Sequence, residues 1–219
     1  MRWVTYLSPS GGGERAGALD DGDVLGSPDR RALADLVAAG GDALAEAFDR
    51  AVAEPVEIIV EPEARMCAPV SPALPVPVRS GDDAWEIAPG LVRAVDDPVP
   101  AGTRSARVGA AAVGGADGTA AYTPACLWLD GGGRPLQLCL GPVLTTADEV
   151  SGPLPVGAED DERELGRGTV DLAHSWLAPG PGEVRALLPV ATPPLEQGDE
   201  LFVDAGELGS FEVRVGSQV

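Results

Sequence analysis

His174 is the one histidine of the chain, and Asp171 stands three residues before it. On a helix that spacing sets a carboxylate one turn from an imidazole, where it can orient the ring for proton transfer. Arg104 and Arg107 offer planar guanidinium forks suited to a carboxylate or an enolate oxygen. Thr192 carries a hydroxyl for a substrate carboxylate, and Tyr122 a phenol that can line a pocket. Each has a plainer alternative. Thr192 precedes Pro193 and suits a turn; the arginines suit the solvent face of a strand in an acidic protein; a strand tyrosine packs. Leu172, Trp176 and Leu177 would make the His174 segment a packing helix and the histidine structural.

Composition excludes other chemistries. All 15 basic residues are arginine, so Schiff-base lysines, lysine general bases and the P-loop lysine have no candidate. A single histidine cannot build a multi-histidine zinc centre. Cys67, Cys126 and Cys139 have no CxxC spacing and no neighbouring cation, which fits reduced core thiols rather than nucleophiles. No Gly-x-Ser-x-Gly elbow occurs. The net charge of −20 argues against nucleic acid and against an anionic membrane surface, since both need clustered cations. Runs such as Asp20–Asp23 and Glu159–Glu162 sit among loop-like residues and read as solvated surface. No apolar run approaches the roughly 20 residues that span a bilayer. The opening residues lack the marks of a signal peptide, so a cytoplasmic protein is expected. The bias towards Ala, Gly, Pro, Arg, Val and Asp, with no asparagine, points to a GC-rich coding sequence of the actinobacterial kind.

The elements that must position these residues are mostly strands. A chain of 219 residues fits one ordinary domain with a small N-terminal appendage. Trp3–Leu7 alternates as a strand, and Arg15–Leu19 with Asp23–Leu25 suggests a hairpin. Ser27 followed by Pro28 predicts a helix to Gly40, with Ser27 as its cap, and Asp42 could cap a second helix through Val52. Val56–Val60, Arg104–Val113, Cys126–Leu129, Pro135–Leu140, Val184–Val190, Glu200–Asp204 and Gly209–Val215 read as strands, and Thr169–Leu177 as a helix. The expected fold class is mostly β with a few helices (α+β). Residues 1–67 form a small strand and helix unit, 68–80 a proline-rich connector and 81–219 a β body.

Several short segments, in this order, resemble one family. Gly40–Leu44 and Met66–Pro72 are similar to its proline-rich entry, and Ala121–Pro124 to its "GYT" strand. Leu138–Val150 resembles its "LGPW-V-T-DEI" signature, and Glu164–Leu172 a later hairpin and helix. Val190–Pro193 sits where "TGTP" is expected, and Leu195–Asp199 with Glu207–Phe211 resembles the closing pair. The family is the fumarylacetoacetate hydrolase superfamily. The resemblance implies a rolled β-sheet body, a homodimer, and Mg²⁺ or a similar hard cation that polarises a β-dicarbonyl. Two glutamates of an E-x-E strand and an aspartate after "GYT" hold that ion. Here the matching strand is Arg104–Gly114, with Arg107 near a ligand position, and the aspartate position falls on Leu127, while a small shift would bring Asp130 near. An alternative alignment offers only Glu86. The family's lysine and its Asn-Tyr-x-x-His histidine have no counterpart, while Thr192 matches its substrate-contacting threonine.

No divalent metal and no cofactor are therefore expected. Two functions follow. The first is a metal-independent lyase, isomerase, cyclase or C–C hydrolase for a keto-enol or β-dicarbonyl acid, in a secondary-metabolite pathway. Arg107 or Arg104 would stabilise the enolate, Thr192 and Tyr122 would bind substrate, and His174 with Asp171 would transfer protons. The second is a non-catalytic pseudoenzyme that binds a ligand or a partner subunit. An open cavity beside Thr192 would favour the first, and a space filled by Leu127 and Trp128 the second.

Overall fold

The computed structural model of the chain describes residues 1–161 and 163–216; Glu162, the last of the acidic run, lies outside them. Strand β1 (Arg2–Leu7) pairs with β2 (Glu14–Asp20), which turns into β3 (Asp23–Gly26) through Asp21 and Gly22. Both turn residues have positive φ, the geometry that matches the twist of a two-residue hairpin. The next helices are α1 (Leu33–Ala39) and α2 (Gly41–Ala53). Ser27 does not cap α1. Its side chain accepts from Asp29 N, and Asp29 in turn accepts from Arg31 N, so a local turn holds the chain until Ala32. Asp42 lies in the first turn of α2, whose N-cap is Gly40.

The following strands are β4 (Ile58–Val60), β5 (Met66–Cys67), β6 (Val76–Ser80), β7 (Asp83–Ile87) and β8 (Val92–Arg93). Two long strands, β9 (Ser105–Gly115) and β10 (Gly118–Leu129), make the central hairpin. After them come β11 (Pro135–Leu140), β12 (Val143–Thr146), β13 (Pro153–Asp160), β14 (Arg163–Asp171), β15 (Val184–Ala191), β16 (Glu200–Asp204) and β17 (Ser210–Arg214). The described residues form a 13-stranded sheet along the path β4-β3-β2-β1-β12-β10-β9-β15-β6-β7, with β5, β8 and β11 attached beside it. A second sheet runs β14-β13-β16-β17. N-terminal strand β1 thus hydrogen-bonds directly to β12, and the stretch 68–80 ends in β6, which runs parallel to β15.

Two apolar layers sandwich the large sheet. On one face Leu33, Leu36, Val37, Leu44 and Ala47 of the helices pack on Trp3, Ala111, Val113 and Leu127. Phe48 meets Trp3 edge-on at 5.5 Å, a contact worth about 0.5–1.5 kcal/mol beyond its burial. On the other face the four-stranded sheet lays Leu154, Val156, Val170, Leu201, Val203 and Phe211 over Ala106, Val108, Ala110 and Ala112. The alternation of β9 therefore feeds both layers, and its small side chains let neighbouring backbone approach.

The predicted helix at Thr169–Leu177 does not form. Gly166, Gly168 and the β-branched Thr169 and Val170 extend β14 to Asp171, with Val170 buried opposite Leu154. Only Ser175–Leu177 turns, as a single 3₁₀ turn. Among the described residues no helix is long and apolar enough to cross a membrane.

Candidate functional site

The register of β9 and β10 sets Arg107 directly opposite Leu127. On its other side Arg107 pairs with Ala191, one residue before Thr192. The positions that the family resemblance assigns to metal and substrate are thus assembled at one place, where the start of β9 meets the ends of β10 and β15. Directly opposed residues of antiparallel strands share a face, so Arg107 and Leu127 are side by side on the helix-covered side of the sheet. Leu127 is fully buried there and Trp128 fully buried on the opposite side.

The polar groups at this place are engaged with the protein. Thr192 is 7% exposed; its Oγ1 accepts from Ala106 N at 2.9 Å, and its own N–H donates to Ala106 O at 3.1 Å. The side chain thus extends the β9–β15 ladder by one bond. Arg107 reaches Asp83 of β7, Nη2 to Oδ2 at 3.7 Å, and Nη1 donates to Ala106 O at 3.4 Å. Asp83 is a partner that the linear spacing of the chain does not reveal, because β7 joins this site only through β6 and β15. Arg104 is exposed just before β9, and its backbone is held by Leu129 and Leu195.

The remaining candidates lie elsewhere. Tyr122 faces the opposite core from Arg107 and Leu127, buried, with its hydroxyl donating to Leu172 O at 3.4 Å. Burial pushes its phenol above the ordinary range. His174 and Asp171 are exposed in the turn after β14, not on a helix face. Asp171 Oδ1 accepts from Ala173 N at 3.1 Å, and His174 Nδ1 accepts from Trp176 N at 3.1 Å. Each polar tip thus closes its own local turn, and the carboxylate does not orient the imidazole. Glu86, the alternative ligand, is exposed on β7 opposite Pro77. Cys126 and Cys139 oppose each other in the β10–β11 register, and burial raises both thiols, Cys139 to about 11. That favours the unreactive neutral form.

A divalent ion of the magnesium or manganese kind needs several oxygen ligands converging on one point. Among the described residues no three His, Cys, Asp or Glu side chains come together, and a guanidinium and an isobutyl group occupy two of the expected ligand positions. The described residues do not fit such an ion.

Two concavities open away from this place. One, of about 380 Å³, runs along Gly40, Gly41 and the β9–β10 turn. The other, of about 820 Å³, lies between β2, the turn before α1 and the segment 68–71. Arg15, Arg30 and Arg31 line the second. The run Asp29-Arg30-Arg31 was hidden in the sequence because it reads as the first turn of a helix.

The fold is shared with solved structures of fumarylacetoacetate hydrolase and related hydrolases and isomerases. A maleylpyruvate hydrolase from Sphingobium sp. SYK-6 superposes with a TM-score of 0.79 at 17% identity, covering 98% of this chain and 99% of its own. A second structure of that enzyme contains manganese(II) and pyruvate. A fumarylacetoacetate hydrolase from Exiguobacterium antarcticum gives 0.78 at 14% identity over 100% of both chains. A 5-carboxymethyl-2-hydroxymuconate delta-isomerase from Mycobacterium smegmatis gives 0.69 at 15%, covering 98% and 99%. No family model matches the sequence, and no curated protein matches it.

Proposed function

We propose that this chain is a non-catalytic descendant of the hydrolase and isomerase fold, acting as a binding or partner subunit. One observation carries the proposal: Arg107 and Leu127 face each other where the fold's resemblance calls for metal-binding carboxylates. The separate locations of Tyr122 and His174 support the same reading; the hydroxyl of Thr192 accepts from Ala106 N and keeps its proton to donate. Arg107 alone could stabilise an enolate electrostatically, but the titratable group described beside it, Asp83, is its ion-pair partner at 3.7 Å. Asp83, its partner, is 60% exposed.

The test is direct. Purified protein is incubated with oxaloacetate, an acylpyruvate and a 2-hydroxymuconate-type diacid, with and without Mn²⁺. No turnover above the buffer rate is expected. Turnover that disappears in Arg107→Ala would overturn the proposal and restore the metal-independent lyase or isomerase. The same resemblance supports a homodimer through the β body, for which sedimentation velocity should return twice the chain mass.

A further inference from the structure

We propose that the cleft of about 820 Å³ beside α1 is a binding site for a small amphipathic oxyanion, an acidic group on an apolar body. The inference deepens the reading of the chain as a binding protein by giving it a site, and that site is not the relic around Arg107. Its volume lies in the range that encloses small organic ligands. Leu33 and Val70, both buried, and Val56 supply apolar wall.

The charges of the cleft are unequally free. Asp29 is the one acidic lining group whose side chain is largely covered, and it is neutralised twice, by Arg31 at 2.7 Å and by Arg50 at 3.1 Å. Arg15 lies 3.5 Å from Glu57, a carboxylate that also accepts from Tyr6 and Ser10. Thr5 has its hydroxyl on Pro69 O. Glu14 and Asp35 are exposed, as is Arg30, so water and salt screen all three alike. What remains uncommitted is the complete fork of Arg30, which has no hydrogen bond or ion pair among the described residues, and the Nη1 edge of Arg31. The cleft is lined by three arginines and three carboxylates together with its apolar wall, and the guanidinium left without an ion pair, Arg30, offers a charge-assisted fork to an anion against the overall charge of −20. Asp29 fixes Arg31 beforehand, so little side-chain freedom is lost on binding.

The probe is 8-anilinonaphthalene-1-sulfonate, a sulfonate on an apolar ring system whose fluorescence reports binding, with octanoate as competitor. One saturable site displaced by octanoate is expected. Arg30→Glu should weaken it by roughly tenfold or more, the scale of one charge-assisted pair reversed, while Arg30→Lys retains most of it. Arg93→Glu, an exposed change outside the cleft, should leave the affinity unaltered. Because Arg30 makes no hydrogen bond or ion pair among the described residues, its variants should keep the circular dichroism and Tm of the parent. Probe affinity unchanged in Arg30→Glu, or binding that octanoate does not displace, would overturn the inference. Turnover of a keto acid would instead overturn the non-catalytic reading and leave the cleft as it stands.

Discussion

Thr192 ties β9 to the end of β15 through its side chain. Its hydroxyl completes the hydrogen bonding of a buried strand, so Thr192→Val should strand the Ala106 N–H and destabilise the protein by about 1–3 kcal/mol. Thr192→Ser should recover most of that loss; urea unfolding of the two variants measures it. Asp29 gives a pH-dependent counterpart. The hydrogen bonds from Arg31 hold its carboxyl well below the usual carboxylate range. A depressed carboxylate stabilises the fold above its unfolded pKa and loses that contribution as pH falls through the folded one. Asp29→Asn should therefore lower Tm at neutral pH and flatten the acid limb of the Tm–pH curve. At this scale the sequence was informative about residue type: the absence of lysine was legible, and the resemblance set Arg107 and Leu127 where the family's metal ligands are expected. The partners of those residues were not legible, since Asp83 and Ala106 reach Arg107 and Thr192 through strand pairing.

Among the elements, β9 is the one on which both cores depend. A Cβ at Gly109 would collide with the carbonyl oxygen of Leu187 and approach Leu188 Cα to 2.8 Å, both backbone atoms that cannot swing aside. Gly109→Ala should thus push β15 away from β9 and cost about 1–3 kcal/mol, read as a lower Tm. The strands of the hairpins were legible because alternation and Asp-Gly turns are local signals. The segment after Glu164 was not. Leu172, Trp176 and Leu177 have helical spacing, yet Thr169 and Val170 pair with β13, and Val170 is buried opposite Leu154. The start of α1 was misplaced for a similar reason: Ser27 and Asp29 satisfy nearby backbone N–H groups in a turn, a competitor that cap-and-proline patterns do not reveal.

For the whole molecule, a net charge of −20 on a single fold means self-repulsion that salt should relieve. Tm should rise with added NaCl in neutral buffer. By contrast, about 1 mM Mg²⁺ or Mn²⁺ should add nothing beyond that ionic-strength effect, because a ligand stabilises only the state that holds a site for it. A specific metal-dependent increase in differential scanning fluorimetry would contradict the donor set described above. The sequence by itself determined the strand-rich composition, the order of the family-like segments and the residue types from which any chemistry must be drawn, since these follow from local periodicity and side-chain chemistry. Only the tertiary structure decided which of those residues meet. Pairing β9 with β10 and β15 joins Arg107, Leu127 and Thr192 across the chain, and the two-faced pleat sends Tyr122 to the opposite core.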